Sequence, residues 1–306
     1  MPKALRHVLF TLVPVVVAFA LLPSVYSNQL LLFNFVIYLA LTQGFNIIYG
    51  FTGYLPFGYV GFFGAGAYGF ALAVMHLHFP PLAALGVGAV AAVLLGLVLT
   101  PLLRLSGAYF AIANLAASQA VFLIVSNPNL TAITKGPYGI SLSGVFSPGF
   151  TYGVAVAILA ATLGLVIYLR NSRFGLALQA IREDAISAGM AGINVVLSRT
   201  IAWLLSALVA GLVGGVFAWY ISVFYPETVF DLGVSIFAIV FALFGGTATI
   251  LGPILGVIIL YGIYNVIGIS TPQYFQLIYG VLIVGLVLFL PEGLVSIFKR
   301  RGIDVP

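Results

Sequence analysis

The chain has 306 residues, of which 63% are hydrophobic and 6% are charged, and its formal net charge is +5. Soluble globular domains carry roughly a quarter charged residues, so this composition excludes an ordinary soluble protein and indicates a polytopic membrane protein. The absence of cysteine excludes disulfides, thiolate metal sites and cysteine nucleophiles. Because the cations lie at the ends of apolar segments, we expect them to contact lipid headgroups and not nucleic acid.

Ten apolar runs are long enough to cross a membrane, which takes about 20 residues per helix. They cover approximately residues 8–25, 30–50, 54–78, 82–104, 107–126, 149–169, 200–225, 229–246, 250–269 and 273–290. These runs predict an all-α transmembrane helical bundle that forms one domain over residues 1–306. The first run follows a basic segment and could be a signal peptide cleaved near Ser27, but an uncleaved first span is the favoured interpretation.

The basic residues predict the orientation of the bundle. With the N-terminus in the cytoplasm, ten of the eleven Lys and Arg side chains fall on the cytoplasmic side, and only Lys135 falls outside. This distribution follows the positive-inside bias, so both termini are predicted to be cytoplasmic and the protein is expected in the plasma membrane. The longest external segment is then 127–148, whose Pro, Gly, Asn and Ser content is typical of a loop.

Two glycine-rich segments, residues 50–69 and 241–256, interrupt the apolar runs. Interrupted helix backbone is tolerated in a membrane where it is buried in protein or lines a cavity, so these segments are the candidate translocation route. The candidate residues are Gly58, Gly61, Gly64, Gly66, Gly245, Gly246 and Gly252. Similar interruptions in the two halves also suggest an internal pseudo-repeat that meets near the middle of the membrane. The alternative is that the glycines only let helices pack closely.

Ionisable side chains are nearly absent from the predicted spans, which argues against a proton- or sodium-driven transporter. Glu227 and Asp231 lie near the outer end of one span and are expected to be solvated. Amides and hydroxyls within the spans could line a polar route or only hydrogen-bond between helices. They are Asn34, Thr42, Gln43, Asn46, Asn114, Ser118 and Gln119. No metal ion or cofactor is predicted.

Four arginines are concentrated in residues 170–199, between two long apolar runs. Apolar residues recur there at roughly helical spacing from Leu176 to Ile193, which predicts two short helices or one broken helix. This segment is the predicted docking site for a soluble partner, and a solvated loop lying on the membrane surface is the alternative. Its candidate contact residues are Arg182, Glu183, Asp184, Ala188, Gly189 and Gly192.

Five sequence motifs extend over most of the chain. They are GYLPFGYVGFFGAGAYG (53–69), TKGPYGIS (134–141), FGLALQAIREDAISAGMAGINV (174–195), LFGGTATILGP (243–253) and PEGL (291–294). Through them the chain, from about residue 30 to 298, resembles the permease subunits of ABC importers for branched-chain amino acids, the M-type more than the H-type. The third motif is similar to the family's cytoplasmic loop that couples the permease to its ATPase. The resemblance places the coupling helix near Glu183 to Gly192.

The resemblance implies a transport subunit that works with ATP-binding cassette ATPase subunits, a homologous second permease subunit and an extracytoplasmic substrate-binding protein. The sequence is consistent with a separate ATPase. It contains no G-x-x-x-x-G-K-[ST] loop that could bind ATP, so ATP hydrolysis would need another chain. Permeases of the wider family for urea, amides or sugars, and a stand-alone channel or facilitator, are the alternatives. A membrane-embedded enzyme is disfavoured because the spans carry no visible catalytic group.

Overall fold

The computed structural model describes residues 11–270 together with positions 277, 280, 281, 284, 285 and 293–295. Most of this part of the chain is helical. The helices are α1 (Val13–Val25), α2 (Gln29–Thr52), α3 (Val60–Leu77), α4 (Pro81–Leu99), α5 (Gly107–Val125), α6 (Thr131–Thr134), α7 (Pro148–Asn171), α8 (Arg173–Glu183), α9 (Ala185–Met190), α10 (Val195–Ile221), α11 (Pro226–Val229), α12 (Leu232–Gly245) and α13 (Leu251–Ser270). Two-residue strands β1 (Ile140–Ser141) and β2 (Val223–Phe224) pair antiparallel. Short 3-10 turns cover Thr100–Arg104, Pro128–Leu130, Gly136–Tyr138 and Ser143–Val145.

Seven helices in the described residues are long and apolar enough to cross a membrane. They are α2, α3, α4 with its 3-10 extension, α5, α7, α10 and the combined α11–α12 segment, whereas α1 and α13 are shorter apolar helices. The predicted all-α polytopic bundle is therefore confirmed. The tenth predicted span, 273–290, lies largely outside the described residues.

Side-chain caps fix the starts of several helices. The Asn28 side chain accepts a hydrogen bond from the Leu31 amide at the start of α2, and the Asn194 side chain does the same for the Leu197 amide at the start of α10. Proline occupies the first position of α4 and of α7, where its missing N–H removes no helical hydrogen bond. These local signals are present in the sequence itself.

The centre of the bundle is the crossing of α3, α4 and α10. Small residues bring the three backbones together, since a Cβ at Gly66 would lie 2.1 Å from the Gly211 carbonyl oxygen and one at Gly88 would lie 2.5 Å from the Gly66 carbonyl oxygen. The indole of Trp203 donates to the Gly96 carbonyl at 2.9 Å beside this crossing. Close contacts of this kind drive helix association in lipid, where burial of apolar surface gives little advantage.

Three arginines lie together at one end of the bundle, which we call the arginine end. The guanidinium of Arg199 lies 4.7 Å from the centroid of the Tyr54 ring. Arg182 passes next to Gly53, where an added Cβ would be 3.5 Å from the Arg182 Cγ, and Arg170 ends α7 nearby. The connections between α2 and α3 and between α4 and α5 also reach this end. The common location of these cations agrees with the predicted clustering of positive charge on one side.

The opposite end of the bundle is formed by residues 126–147 and 222–231. Strands β1 and β2 pair there, and the Leu142 amide donates to the Ser222 carbonyl at 2.6 Å. The sequence predicted a loop over 127–148 but not this strand pair. Two-residue strands are too short to show the alternation of apolar and polar residues by which strands are recognised.

The first glycine-rich interruption is shorter than predicted. Helix α2 continues to Thr52 and ends at Gly53, whose φ of 78° is readily adopted only by glycine. Residues 53–59 cross to α3, which begins at Val60, six residues later than the predicted span, and is continuous to Leu77. Gly61, Gly64 and Gly66 therefore lie inside a regular helix, because neighbouring helices pack against them.

The second interruption lies between α12 and α13. Helix α12 ends at Gly245, and Gly246 has a φ of 110°, which an L residue adopts only with strain. Residues 246–250 form the connection, and Gly252 is in the first turn of α13. A chain reversal of this kind at a helix end frees backbone groups that must find partners inside the protein.

Candidate translocation route and coupling segment

Side chains of α2 supply the partners that the second interruption needs. The amide of Asn46 binds on both sides, since its Oδ1 accepts from the Ala248 amide at 2.9 Å and its Nδ2 donates to the Thr249 carbonyl at 2.9 Å. Gln43 donates from Nε2 to the Ile250 carbonyl at 2.8 Å. These side-chain amides therefore form the hydrogen bonds that the irregular backbone cannot form within a helix. A buried interruption requires such partners.

The two interrupted segments approach each other across the C-terminal end of α2. A Cβ at Gly50 would lie 2.8 Å from the Ala248 amide nitrogen, so the last turns of α2 contact the second interruption directly. Arg182 donates to the Gly50 carbonyl at 2.5 Å, and Arg170 donates to the Ala248 carbonyl at 2.5 Å. The contact between the segments is thus at the arginine end, and the start and the middle of the predicted coupling loop 170–199 reach it through Arg170 and Arg182.

The candidate glycines of the second interruption lie next to one another. A Cβ at Gly245 would lie 1.8 Å from the Gly252 carbonyl oxygen, and one at Gly252 would lie 2.2 Å from the Gly246 carbonyl oxygen. These glycines therefore pack the ends of α12 and α13 together.

The candidate glycines of the first interruption have separate neighbours. The Gly58 amide donates to the Asn114 Oδ1 at 2.7 Å, and a Cβ at Gly61 would lie 3.0 Å from the Ser118 hydroxyl. A Cβ at Gly64 would lie 2.4 Å from the Phe230 ring. Gly58, Gly61 and Gly64 therefore face α5 and the α11–α12 connection, whereas Gly66 faces α10.

The start of α3 lies deeper in the bundle than the end of α2. Asn114 and Ser118, which it contacts, are about two and three turns into α5 from the arginine end. The Val60 amide also donates to the Ser235 hydroxyl at 2.7 Å, near the start of α12. The N-terminal ends of α3 and α12 therefore meet inside the protein. This meeting could not be predicted from the sequence, because Ser235 and Phe230 belong to no glycine-rich segment.

A cavity of about 870 Å³ opens at the arginine end beside the first interruption. Its wall includes aromatic and aliphatic side chains together with two arginines, and the residues used below are Tyr54, Phe57, Phe110, Leu115, Arg182 and Arg199. The cavity thus reaches from the predicted coupling segment to α5, one residue from Asn114. The cavity has no signature in the sequence, because its wall is built from four separate parts of the chain.

The predicted coupling segment forms two short helices, α8 and α9, which confirms one of the two predicted arrangements. Asp184 separates them and caps α9, accepting hydrogen bonds from the Ile186 amide and the Ser187 hydroxyl. These hydrogen bonds, first the one from Ser187, lower the pKa of the Asp184 carboxyl, which favours its charged form. Glu183 ends α8 at the cavity wall. The two helices are therefore separated at a fixed point.

Helix α9 presents large apolar side chains to solvent. Ile186 and Met190, four residues apart, are 76% and 79% exposed. Gly189 lies on the open side of this helix, since a Cβ there would meet only the Val195 Cγ2 at 3.9 Å, and Gly192 follows with a φ of 87°. Ala188 is buried against this chain and does not contribute to the exposed face. An exposed apolar face on a short helix is typical of a protein interaction site.

In the part of the chain that the structure describes, no group of three or more His, Cys, Asp or Glu side chains is arranged to hold a metal ion. His76 makes a hydrogen-bonding contact from Nε2 to the Ile133 carbonyl at 3.0 Å.

The fold defines a polytopic membrane protein, and comparison with known families gives its class. A family model described as "Branched-chain amino acid transport system / permease component" matches residues 28–287, so the chain belongs to this family of transport permeases. The predicted resemblance is confirmed.

Three relatives illustrate the likeness. The chain is 30% identical to the high-affinity branched-chain amino acid transport system permease protein LivM of Salmonella typhimurium, over 87% of this chain and 69% of that protein. It has the same identity and coverage with the LivM protein of Escherichia coli strain K12. It is 26% identical to the probable branched-chain amino acid transport permease protein LivH of Methanocaldococcus jannaschii, over 65% of this chain and 62% of that protein. No solved structure matches the chain.

Proposed function

We propose that this chain is the membrane permease subunit of an ATP-driven importer of branched-chain or other apolar amino acids, and that residues 1–306 form one permease domain. The observation that carries the proposal is the likeness to LivM permeases over 87% of the chain. The chain alternates between access from the two sides of the plasma membrane, and a separate ATPase drives the change. An extracytoplasmic binding protein delivers the substrate, and a homologous second permease subunit completes the membrane part.

The experiment that tests this proposal is uptake of labelled leucine into proteoliposomes that contain the complete complex. Uptake is expected to require ATP and the ATPase subunits, and to be reduced by excess valine or isoleucine but not by urea or a sugar. Leucine uptake by this chain alone, without ATP, would establish a channel or facilitator instead. Competition by urea or a sugar would change the proposed substrate.

The exposed face of α9 supports an ATPase as the partner at the arginine end. Ile186 and Met190 project two apolar side chains at i and i+4 spacing, the pattern by which a helix fits an apolar groove of another protein. Gly189 lies between them on the open side and permits close approach. Because this chain contains no P-loop, hydrolysis of ATP is assigned to that partner.

The arginine end is assigned to the cytoplasm on the positive-inside bias, and both termini, which lie outside the described residues, are assigned there too. The absence of cysteine allows a direct test. A cysteine in place of Ser141, exposed at the opposite end, should react with an impermeant thiol reagent added to intact cells, whereas one in place of Ser187, exposed on α9, should react only after permeabilisation. The reverse labelling pattern would exchange the two faces and remove the docking assignment.

Arg182 connects the coupling segment to the route, because it lies in α8 and donates to the Gly50 carbonyl at the end of α2. Arg182→Met should lower leucine uptake per ATP hydrolysed by roughly five- to tenfold, since losing a partly exposed hydrogen bond from a charged donor costs about 1 to 1.5 kcal/mol. The measurement is the ratio of uptake to phosphate release in the reconstituted complex. Arg173→Met, at the exposed start of the same helix, is the control and should keep the ratio. Equal ratios of uptake to phosphate release in Arg182→Met and Arg173→Met would show that Arg182 does not connect the coupling segment to the route.

A further inference from the structure

Helix α5 is packed against the bundle along one narrow face. Its side chains at four-residue spacing, Phe110, Asn114, Ser118 and Phe122, lie on that face, and the first three are buried. Tyr109 and Ile112, on other faces, are 77% and 66% exposed. The centre of this packed face is polar, because Asn114 and Ser118 occupy it, although apolar side chains would suffice to pack a helix in a membrane. We call the contact between this face and α3 the α3–α5 seam.

Two polar groups in the seam are buried without a hydrogen-bond partner in the described residues. The Oδ1 of Asn114 accepts from the Gly58 amide, and this donor fixes the orientation of the side-chain amide. The Nδ2 of Asn114 and the hydroxyl of Ser118 have no partner, and both residues are only 1% exposed. Burying such groups unpaired is unfavourable, so their retention in the core requires an explanation. A substrate that accepts hydrogen bonds provides one.

The local field favours an anionic acceptor at this point. Gly58 and Gly61, which contact Asn114 and Ser118, flank the N-terminal end of α3, an 18-residue helix. The N-terminus of a helix carries partial positive charge, which stabilises a nearby carboxylate. The same face of α5 is apolar on either side of the pair, with Phe110 one turn before Asn114 and Phe122 one turn after Ser118. A neutral donor pair at a positive helix end between apolar walls suits the carboxylate of an apolar amino acid.

The seam lies between the cavity at the arginine end and a cluster of aromatic rings toward the opposite end. On the arginine side the 870 Å³ cavity reaches Phe110 and Leu115, the neighbour of Asn114. On the other side the ring of Phe230, 3% exposed, lies against Gly64 and within 6.0 Å, centroid to centroid, of both Tyr68 and Phe122. Phe230, with Tyr68 and Phe122 beside it, therefore lies next to the seam on the side of the opposite end.

We propose that the α3–α5 seam is the substrate path of this subunit, in which Asn114 and Ser118 donate hydrogen bonds to the substrate carboxylate and the Phe230 ring closes the path to the opposite end. The inference rests on the proposed function for the identity of the substrate. It assigns binding to side chains of α5, and not to the glycine backbone of the two interruptions. Those interruptions instead position the start of α3 and hold the coupling connection.

Accessibility of Ser118 tests the path directly. Ser118→Cys, the sole cysteine of the chain, should react with a small thiol reagent applied from the arginine end, and leucine should slow the reaction. Ser206→Cys is the control, because Ser206 is equally buried but its hydroxyl donates to the Gly44 carbonyl in the packed core. The complete complex is reconstituted in sealed vesicles of known orientation, and labelling of this chain is followed by mass. Reaction of Ser118→Cys no faster than Ser206→Cys, or a rate unaffected by leucine, would overturn the proposal.

The same labelling assay tests whether the Phe230 ring closes the path to the opposite end. Adding Phe230→Ala to Ser118→Cys should allow labelling from the opposite end, which is not expected while the ring is present. Phe237→Ala, two residues after Ser235 in α12, is the comparison, because that ring packs against Tyr38 and Phe241 outside the seam. Labelling from the opposite end in both variants, or in neither, would show that the Phe230 ring does not close the path.

The binding role of Asn114 is tested by Asn114→Asp in the reconstituted complex. The aspartate keeps an oxygen for the Gly58 amide but replaces the unpaired NH₂ by an anionic oxygen, which repels a carboxylate. The KM for leucine should rise about tenfold or more, the usual consequence of losing a hydrogen bond to a charged group. Ser126→Ala, which removes a hydroxyl bonded only to the Phe122 carbonyl at the end of the same helix, should leave KM unchanged.

The outcomes distinguish the two proposals. ATP-dependent leucine uptake in the unmodified complex together with an unchanged KM in Asn114→Asp would overturn the seam site alone. Failure of the unmodified complex to take up leucine would overturn the proposed substrate, and leucine would then also fail to protect Ser118→Cys. Labelling without protection in a complex that does transport leucine would identify a water-filled crevice that is not the substrate path.

Discussion

Replacing Gly189 by tryptophan is expected to abolish substrate-stimulated ATP hydrolysis by the complex while the chain still inserts in the membrane. A Cβ at this position meets only the Val195 Cγ2 at 3.9 Å, so a large side chain projects outward without disturbing this chain. The neighbouring apolar side chains of Ile186 and Met190 are exposed on the same short helix. The stimulation of ATP hydrolysis by substrate should fall by about ten- to a hundredfold, because disruption at the centre of an interface costs roughly 2 kcal/mol or more.

The measurement is phosphate release by the reconstituted complex with and without loaded binding protein, together with co-purification of the ATPase. Gly86→Trp serves as the control, since Gly86 is exposed on α4 and has no atom within 4 Å of its ideal Cβ. That variant should retain stimulation. If Gly189→Trp is stimulated as strongly as Gly86→Trp, α9 is not the coupling helix.

Replacing Gly66 by alanine is expected to cause a large loss of stability, because it separates the two helices at the centre of the bundle. The added Cβ would lie 2.1 Å from the Gly211 carbonyl oxygen and 2.4 Å from the Gly211 Cα, both backbone atoms that no rotamer change can move. Overpacking of this kind typically costs about 1–3 kcal/mol, more than the roughly 1 kcal/mol that alanine gains over glycine in a helix. The thermal midpoint in detergent should fall, and the yield of folded protein with it.

Gly86→Ala tests whether the loss comes from packing. It makes the same change in an apolar helix where the Cβ meets nothing within 4 Å, and it should leave the midpoint unchanged or slightly higher. The two variants are compared by thermal unfolding of purified protein. A midpoint for Gly66→Ala equal to that of Gly86→Ala would show that α3 and α10 are not in close contact at this position.

Local chemistry made several features predictable from the sequence. The helical, membrane-spanning class follows from runs of apolar residues, because each span must hydrogen-bond its own backbone in lipid. Two short helices were one of the two arrangements predicted for the coupling segment from apolar spacing in residues 176–193, and the structure shows that Asp184 caps the second of them. The family was also within reach, because the motif at 174–195 is contiguous along the chain.

Whether a glycine interrupts a helix or permits close helix packing could not be predicted from the sequence. Both interruptions were predicted, but not that the first is confined to residues 53–59 while Gly61, Gly64 and Gly66 lie in a regular helix. Glycine weakens an isolated helix, yet it also permits close helix contact, and only the position of the neighbour decides which effect prevails. At Gly66 that neighbour is Gly211, 145 residues away in the chain.

The sequence by itself thus determined that this protein is a membrane-spanning helical permease with an arginine-rich segment between spans, because apolar length, charge position and contiguous motifs are local properties. Only the tertiary structure decided which polar groups satisfy one another. Asn46 hydrogen-bonds from both sides of its amide to an interruption about 200 residues further along the chain, whereas Asn114 and Ser118, of similar chemistry, keep unpaired groups in the seam. An amide or hydroxyl within a span has the same local signature in both roles, and only its long-range neighbours distinguish a structural hydrogen bond from a group left available to a substrate.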